Sequence, residues 1–363
     1  MGLEFKLTDR ELPASPAFIR FLAWKLGCGL PPRREGWVDQ QSERLMAIEE
    51  DSQAQMAEAA AAVMGEAAGR EWVARAYSML CALIIGNTAH LSDMRSRFHF
   101  INIIGIPRTG GSYLTAELYR ALGLVPEEVP QAIAHDSFPT IGPFELGPGN
   151  NGWIVNLKTM AEYLTMVECY FEGQSPRFGK IAVPKKLTQA CYEGGFVHHV
   201  LGADAEYLLT VRHPVAACVS TYEKSGGLPP QGLFAVRSNI EAWCHRDLNY
   251  AGSSSDQLAG MDYFDVYLRY WELYYRRLAT SGLSACPSMR VVAFGPTAVQ
   301  SLAQHYHNDY ESGLQATDFQ VSQRARQTHP EWVERAQPAL ARVAAEWNAA
   351  GIAFPSDEVN ACW

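Results

Sequence analysis

The 363-residue chain lacks several features by which whole classes of protein are recognised. Its eight cysteines include no Cys-x-x-Cys pair and have no histidine at metal-ligand spacing, which argues against a disulfide framework or a zinc site. No apolar segment follows the charged N-terminus, and no apolar run is long enough to cross a bilayer. We therefore predict a cytoplasmic protein with reduced cysteines and no membrane partner.

An excess of positive charge is also lacking. The chain has 30 Lys and Arg residues against 39 Asp and Glu residues, which gives a formal net charge of −9. Nucleic acids and heavily sulfated polymers are bound by extended basic surfaces. We therefore predict that the chain binds no nucleic acid, and that any smaller anion is held by a local cluster of basic residues.

Four short apolar runs, separated by helical patterns, indicate the fold. They cover residues 100–106, 180–183, 207–211 and 289–294. This alternation is typical of an α/β protein with a central parallel sheet flanked by helices. Residues 1–97 show helical patterns only, so we predict an N-terminal helical cap over 1–97 and an α/β domain with a C-terminal helix over 98–363. The Pro- and Gly-rich segment 126–152 is interpreted as a long loop that covers the substrate.

The first apolar run leads into a glycine-containing turn and then into a helix. Such a turn presents backbone N–H groups and the positive end of the helix dipole to an anion. From Gly105 the spacing differs by one residue from that of the nucleoside-triphosphate loop, because Gly111 stands where that loop carries its lysine. The sequence therefore predicts a P-loop-like anion site in which the usual lysine is missing.

The turn resembles the 5′-phosphosulfate loop of sulfotransferases that use 3′-phosphoadenosine 5′-phosphosulfate (PAPS). That loop usually reads Pro, Lys or Arg, Ser or Thr, Gly, Thr or Ser, Thr or Ser, Trp or Tyr, Leu. Seven of the eight positions match Pro107, Arg108, Thr109, Gly110, Gly111, Ser112, Tyr113 and Leu114, and Gly111 is the exception. The resemblance implies that residues 108–113 bind the cofactor and that Arg108 also stabilises the leaving phosphate.

A second segment resembles the family's 3′-phosphate motif. The third apolar run ends in Arg212 and Pro214, and Val219, Ser220 and Tyr222 follow. The resemblance implies that Arg212 and Ser220 bind the 3′-phosphate, which distinguishes PAPS from ATP. A guanidinium suits this role because its planar donors pair with two phosphate oxygens and it stays charged. Family members also commonly supply a basic residue from near the C-terminus, which implies a cofactor-binding role for Arg324 and Arg326.

Sulfuryl transfer also requires a base that takes a proton from the acceptor. His135, beside Asp136, is the first candidate because imidazole titrates in the required range. Lys185 and Lys186 follow the second strand, where the resemblance places a catalytic His or Lys, and Lys185 is the second candidate. No cluster of metal-ligating residues is visible in the sequence, and we expect no metal.

Together these features imply a PAPS-dependent sulfotransferase that modifies a hydroxyl or an amine of a small or medium-sized acceptor and releases 3′-phosphoadenosine 5′-phosphate. Two alternatives stay open. One is a P-loop-type nucleotide kinase, against which the missing lysine counts, and the other is a non-catalytic nucleotide-binding interaction protein. The sequence leaves open which acceptor is used, whether oxygen or nitrogen is sulfated, and the oligomeric state.

Overall fold

A computed structural model of the chain describes residues 14–28, 53–87, 89–136, 138–144, 152–176, 179–229, 231–319 and 329–361. Its strands are β1 (Phe98–Ile104), β2 (Ile181–Lys186), β3 (Glu206–Val211) and β4 (Met289–Ala293). They form one sheet in the order β2-β1-β3-β4, and every neighbouring pair is parallel. The predicted α/β class and parallel sheet are confirmed.

Helices make up most of the remaining described chain. In order they are α1 (Pro16–Lys25), α2 (Gln53–Gly65), α3 (Ala67–Ile85), α4 (Ala89–Arg97), α5 (Gly111–Ala121), α6 (Gln131–Ala134), α7 (Gly152–Tyr170), α8 (Gly194–Leu201), α9 (Pro214–Lys224), α10 (Asn239–Tyr250), α11 (Ser255–Leu258), α12 (Tyr263–Thr280), α13 (Pro296–Asp309), α14 (Glu331–Ala349) and α15 (Ser356–Ala361). None of these helices combines the length and the apolar character that a membrane-spanning segment needs.

The sheet is buried on both faces, as is usual for parallel strands. In β1 every residue except His99 is buried. Phe98 and Phe100 belong to the larger hydrophobic cluster, whereas Ile101 and Ile103 belong to a second cluster with residues of α5 and α13. Because alternate residues of a strand point to opposite faces, α5 and α13 cover one face of the sheet.

The described N-terminal helices pack into the same core as the sheet. Helices α1 and α3 contact α7, which precedes β2. Phe18 of α1 and Val73 of α3 are buried in the larger cluster together with Phe98 and Phe100 of β1. The division at residue 97 stays a prediction, but the hydrophobic core continues across it.

Residues 126–136 and 138–144, the described part of the predicted loop, contain regular structure, and residues 145–151 lie outside the described residues. The described part contains a short 3-10 turn, Pro126–Glu128, and the helix α6. Val129, Ile133, Phe138 and Ile141 are buried in the larger cluster. Asn156 of α7 fixes the end of the segment, because it both donates to the Gly142 carbonyl (2.6 Å) and accepts from the Gly142 N–H (2.9 Å). The four buried apolar residues anchor this segment in the core.

Helix α12 holds the strand ends from which the candidate site is built. Its aromatic side chains are buried, as their helical spacing predicts. The Trp271 indole N–H donates to the Arg212 carbonyl (3.0 Å), and the Tyr275 hydroxyl donates to the Thr210 carbonyl (2.8 Å). The Tyr274 hydroxyl donates to the carbonyl of Thr188, just beyond β2 (2.9 Å). The helix therefore sets the positions of the carboxyl ends of β2 and β3.

We expect Tyr275→Phe to lower the free energy of unfolding by about 1–2 kcal/mol, because the buried Thr210 carbonyl loses its donor. The matched control is Tyr250→Phe, where the side chain is exposed and the change should stay within about 0.5 kcal/mol. Urea denaturation of the three proteins measures both values. Equal stability of the Tyr275→Phe variant and the wild type would show that this hydrogen bond does not support the end of β3.

Candidate functional site

The turn between β1 and α5 lies at the carboxyl edge of the sheet. β1 ends at Ile104 and α5 begins at Gly111, so the first N–H groups of α5, which lack partners within the helix, belong to this turn. Gly110 has a φ of +83° and Arg108 a φ of +69°. The left-handed conformation costs a non-glycine residue roughly 1–2 kcal/mol. The turn therefore keeps Arg108 in a conformation that local preference disfavours.

The two predicted phosphate motifs meet at this turn. Arg212 Nη1 donates to the Arg108 carbonyl at 2.9 Å, although the two residues are 104 positions apart in the chain. Arg108 Nε donates to Ser220 Oγ at 3.1 Å. Arg108, Arg212 and Ser220 thus lie together, and we call Arg108 and Arg212 the arginine pair. A ligand with two anionic groups would require such proximity.

Arg212 is a buried cation that the described residues satisfy only in part. The residue is 4% exposed, and its Nε has no hydrogen-bond partner among the described residues. Its guanidinium carbon lies 4.4 Å from the centre of the Phe294 ring. Burial and the positive charge of Arg108 lower the pKa of Arg212 to about 10. Because a buried charge with an unpaired donor is costly, an anion at this place would compensate the charge and pair the donor.

Lys186, at the end of β2, lies against Gly111 of the turn. A Cβ atom at Gly111 would stand 3.1 Å from Lys186 Cε and 3.2 Å from Lys186 Cδ. The ammonium forms an ion pair with Asp136, and Lys186 is 6% exposed. Position 111 therefore has little room for the hydroxyl side chain that the 5′-phosphosulfate loop usually carries there, and β2 brings a cation to the turn instead. The place of Lys186 at a strand end was the only sequence signal for this contact.

His135 also reaches the turn. Its Nε2 lies 2.8 Å from Ser112 Oγ. Burial and the positive charge of Lys186 lower the pKa of His135 to about 3, so the imidazole is neutral at neutral pH. The neighbouring Asp136 accepts from the N–H (2.6 Å) and the hydroxyl (2.9 Å) of Thr188. Burial by itself would raise the pKa of Asp136, but Lys186, His135 and Thr188 together lower it to about 2.

Lys185, the residue before Lys186 in β2, has no exposed surface. Its Nζ donates to the carbonyls of Ala132 (2.8 Å), His135 (2.6 Å) and Phe138. These three acceptors match the three N–H donors of an ammonium, which has no acceptor of its own. The contacts make Lys185 a link between β2 and the segment that carries His135.

Thr109 and Tyr113 have different surroundings. Thr109 is fully buried, and its hydroxyl contacts the Ile106 carbonyl (2.8 Å) and Thr210 Oγ1 (2.7 Å), so the side chain braces the turn against β3. The Tyr113 ring centre lies 4.5 Å from that of Phe319. Arg324 and Arg326 lie outside the described residues.

Phe319 completes an aromatic cluster that the sequence did not reveal. Its ring centre is 5.6 Å from that of Phe294, and Phe294 would lie 3.3 Å from a Cβ at Gly110. Tyr113, Phe294 and Phe319, which we call the aromatic cluster, therefore flank both the turn and Arg212. Phe319 and the turn are about 200 residues apart, and no local pattern marks their contact.

The described residues contain no group of three or more His, Cys, Asp or Glu side chains that could hold a metal ion. The seven cysteines within the described ranges are free. Comparisons of the chain with protein-family models, with curated proteins and with solved structures give no match. A functional interpretation therefore depends on the two motifs and on the geometry that surrounds them.

The close contact between Gly111 and Lys186 yields a stability prediction. Gly111→Ala should lower the free energy of unfolding by about 1 kcal/mol, because the added methyl displaces the Lys186 methylenes while Asp136 holds the ammonium. The same change made in the Lys186→Ala background should cost almost nothing, since the crowding atoms are gone. Urea denaturation of the four proteins measures this difference.

The control is Gly65→Ala at the end of α2, where no heavy atom lies within 4 Å of the added Cβ. Its stability should stay within about 0.5 kcal/mol of the wild type. A Gly111→Ala cost of equal size with and without Lys186 would contradict the steric exclusion.

Proposed function

We propose that the protein is a PAPS-dependent sulfotransferase acting on a hydroxyl or an amine of a small or medium-sized molecule. Arg108, Arg212 and Ser220 carry this proposal, because two motifs interpreted separately in the sequence lie within hydrogen-bond distance of each other. The Nε of Arg212 is buried and has no hydrogen-bond partner among the described residues, which fits the 3′-phosphate that distinguishes PAPS from ATP. This is the contact that would distinguish PAPS from a nucleotide without a 3′-phosphate.

The remaining residues of the site fit the other parts of the same nucleotide. The backbone N–H groups of residues 109–112 would hold the 5′-phosphosulfate at the start of α5. Lys186 would add a positive charge beside Gly111. The aromatic cluster offers ring surfaces next to Arg212, as the adenine base requires. The proposal thus assigns a basic, a polar and an aromatic part of the site to three parts of one nucleotide.

PAPS supplies an activated sulfuryl group: the acceptor atom bonds to sulfur, the bond from sulfur to the 5′-phosphate oxygen breaks, and 3′-phosphoadenosine 5′-phosphate leaves. Fixed donors directed at the charge that develops on the phosphate contribute roughly 3 kcal/mol each in comparable sites. Arg108, Lys186 and the turn amides are the candidates for this task. The proposal assigns charge neutralisation to these residues and to no metal.

His135 remains the first candidate for the base that takes the acceptor proton. It is neutral, as a base must be, and it contacts Ser112 of the turn. The low pKa of His135 in the free protein makes the imidazole a weak base, but a bound dianion beside Lys186 would raise the pKa of His135 toward the working range. Lys185 is assigned a positioning role, because it holds the His135 carbonyl.

The kinase alternative receives one point of support from the structure. Lys186 brings to the turn a lysine that the loop sequence lacks, so the missing loop lysine no longer separates the two functions. Nucleotide kinases also hold magnesium through an aspartate, whereas β3 leads into Arg212. A thermal-shift comparison separates them: 3′-phosphoadenosine 5′-phosphate should stabilise the protein, and ATP with magnesium should not.

Arg212→Ala should weaken the binding of 3′-phosphoadenosine 5′-phosphate about 10- to 100-fold, because a hydrogen bond to a charged group contributes about 1.5–3 kcal/mol. Binding of adenosine 5′-phosphate, which lacks the 3′-phosphate, should change less than about threefold. Isothermal titration calorimetry gives both constants. Arg290→Ala, at an exposed arginine of the neighbouring strand β4, is the matched control. Equal losses for the two nucleotides would assign Arg212 a different role.

His135→Ala should reduce turnover about 10²-fold, the usual contribution of a general base, with little change in nucleotide affinity. Transfer of sulfur label from PAPS to a panel of phenols, alcohols and amines measures the rate. Because the pKa of His135 is near 3 in the free protein, kcat/KM of the wild type should show no loss from its protonation between about pH 5 and 8. His305→Ala, at an exposed histidine of α13, is the control, and unchanged turnover in His135→Ala would move the base elsewhere.

A further inference from the structure

A buried carboxylate lies on the far side of the aromatic cluster and has no role in the proposed reaction. Glu117 is on α5, one turn after Tyr113, and has no exposed surface. It accepts from the N–H of Thr317 at 3.2 Å and from the Thr317 hydroxyl at 2.6 Å. It also pairs with His307 Nε2 at 3.0 Å and with the Arg120 guanidinium. These partners account for both of its oxygens.

Thr317 belongs to an extended segment, residues 312–319, which we call the strap. The strap follows α13 and contains neither helix nor strand. Its first residue contacts His307 through Ser312 Oγ (2.8 Å), and Ala316 donates its N–H to Gln304 Oε1 (2.9 Å). These contacts come from α13, whereas those of Thr317 come from α5, so the strap is held between the two helices that cover one face of the sheet.

The position of Phe319 depends on the contacts of Thr317. Besides the two hydrogen bonds to Glu117, the Thr317 carbonyl accepts from the Tyr113 hydroxyl at 2.5 Å. Two residues further on, Phe319 packs on Tyr113 and on the edge of Phe294. The contact with Glu117 therefore determines where the last described ring of the aromatic cluster lies relative to the turn.

We propose that Glu117 is a positioning residue for nucleotide binding. It holds the strap in place so that Phe319 completes the aromatic surface that contacts the adenine. The inference rests on the proposed function. A carboxylate suits this place because each of its oxygens faces a group that can only donate, the Thr317 N–H at one and the Arg120 guanidinium at the other. A glutamine would direct its NH₂ group either at the Thr317 N–H, whose hydrogen bond it would lose, or at the Arg120 guanidinium and the Thr317 hydroxyl, which would then have to turn round and accept.

The inference is tested by comparing two ligands that differ only in the base. Isothermal titration calorimetry is carried out on the full chain with 3′-phosphoadenosine 5′-phosphate and with ribose 3,5-bisphosphate. Glu117→Gln should weaken the adenine nucleotide about tenfold, because the strap no longer holds Phe319 in place. Ribose bisphosphate should change less than about twofold, since the turn and the arginine pair are untouched. General destabilisation of the fold would not produce this split.

Thr317→Val is a second variant that avoids the buried site, because Thr317 is exposed and valine keeps its shape. It removes only the hydroxyl donor, and we expect about a threefold loss for the adenine nucleotide and none for ribose bisphosphate. Combining it with Glu117→Gln should add little, because both changes break the same contact. Thr280→Val, at the exposed end of α12, is the matched control.

Equal losses for the two ligands, or unchanged affinity for the adenine nucleotide in both variants, would overturn the role of Glu117. In either case the wild type still binds both ligands, and the proposed function stands. A wild type that binds neither ligand would overturn the proposed function and this inference with it.

Discussion

The candidate site depends on the contact between Arg108 and Arg212, which brings two positive charges together in a mostly buried place. Arg212 donates to the backbone of Arg108, and its Nε has no partner in the described part of the chain. Burial and charge repulsion both disfavour this arrangement, and the left-handed conformation of Arg108 adds to the cost. The proposed function explains this cost, because a bound anion with two separate charges would offset it.

The rest of the fold holds these two residues in place. Aromatic donors from α12 bind the carbonyls at the end of β3, so the strand that carries Arg212 is held from outside the sheet. Lys185 ties β2 to the segment that carries His135, while Lys186 occupies the space beside Gly111. These side chains come from α12 and β2, and together they hold the turn, His135 and the arginine pair in place.

Much of this could be predicted from the sequence because the signals are local. Apolar runs of strand length identify all four strands to within about three residues, and the strand-to-helix turns mark the places of Arg108 and Arg212. The core positions of residues 126–144 were missed because Pro and Gly suggested a surface loop, although their apolar residues are buried. The contact of Lys186 with Gly111 and the positions of Glu117 and Phe319 could not be predicted, since they come from contacts between elements far apart in the chain.

A crystal structure of the protein with 3′-phosphoadenosine 5′-phosphate tests the central claim most directly. We expect one nucleotide whose 5′-phosphate lies on the amides of residues 109–112 and whose 3′-phosphate accepts a hydrogen bond from Arg212 Nε. A nucleotide that leaves Arg212 Nε unpaired, or that binds away from the turn, would contradict it.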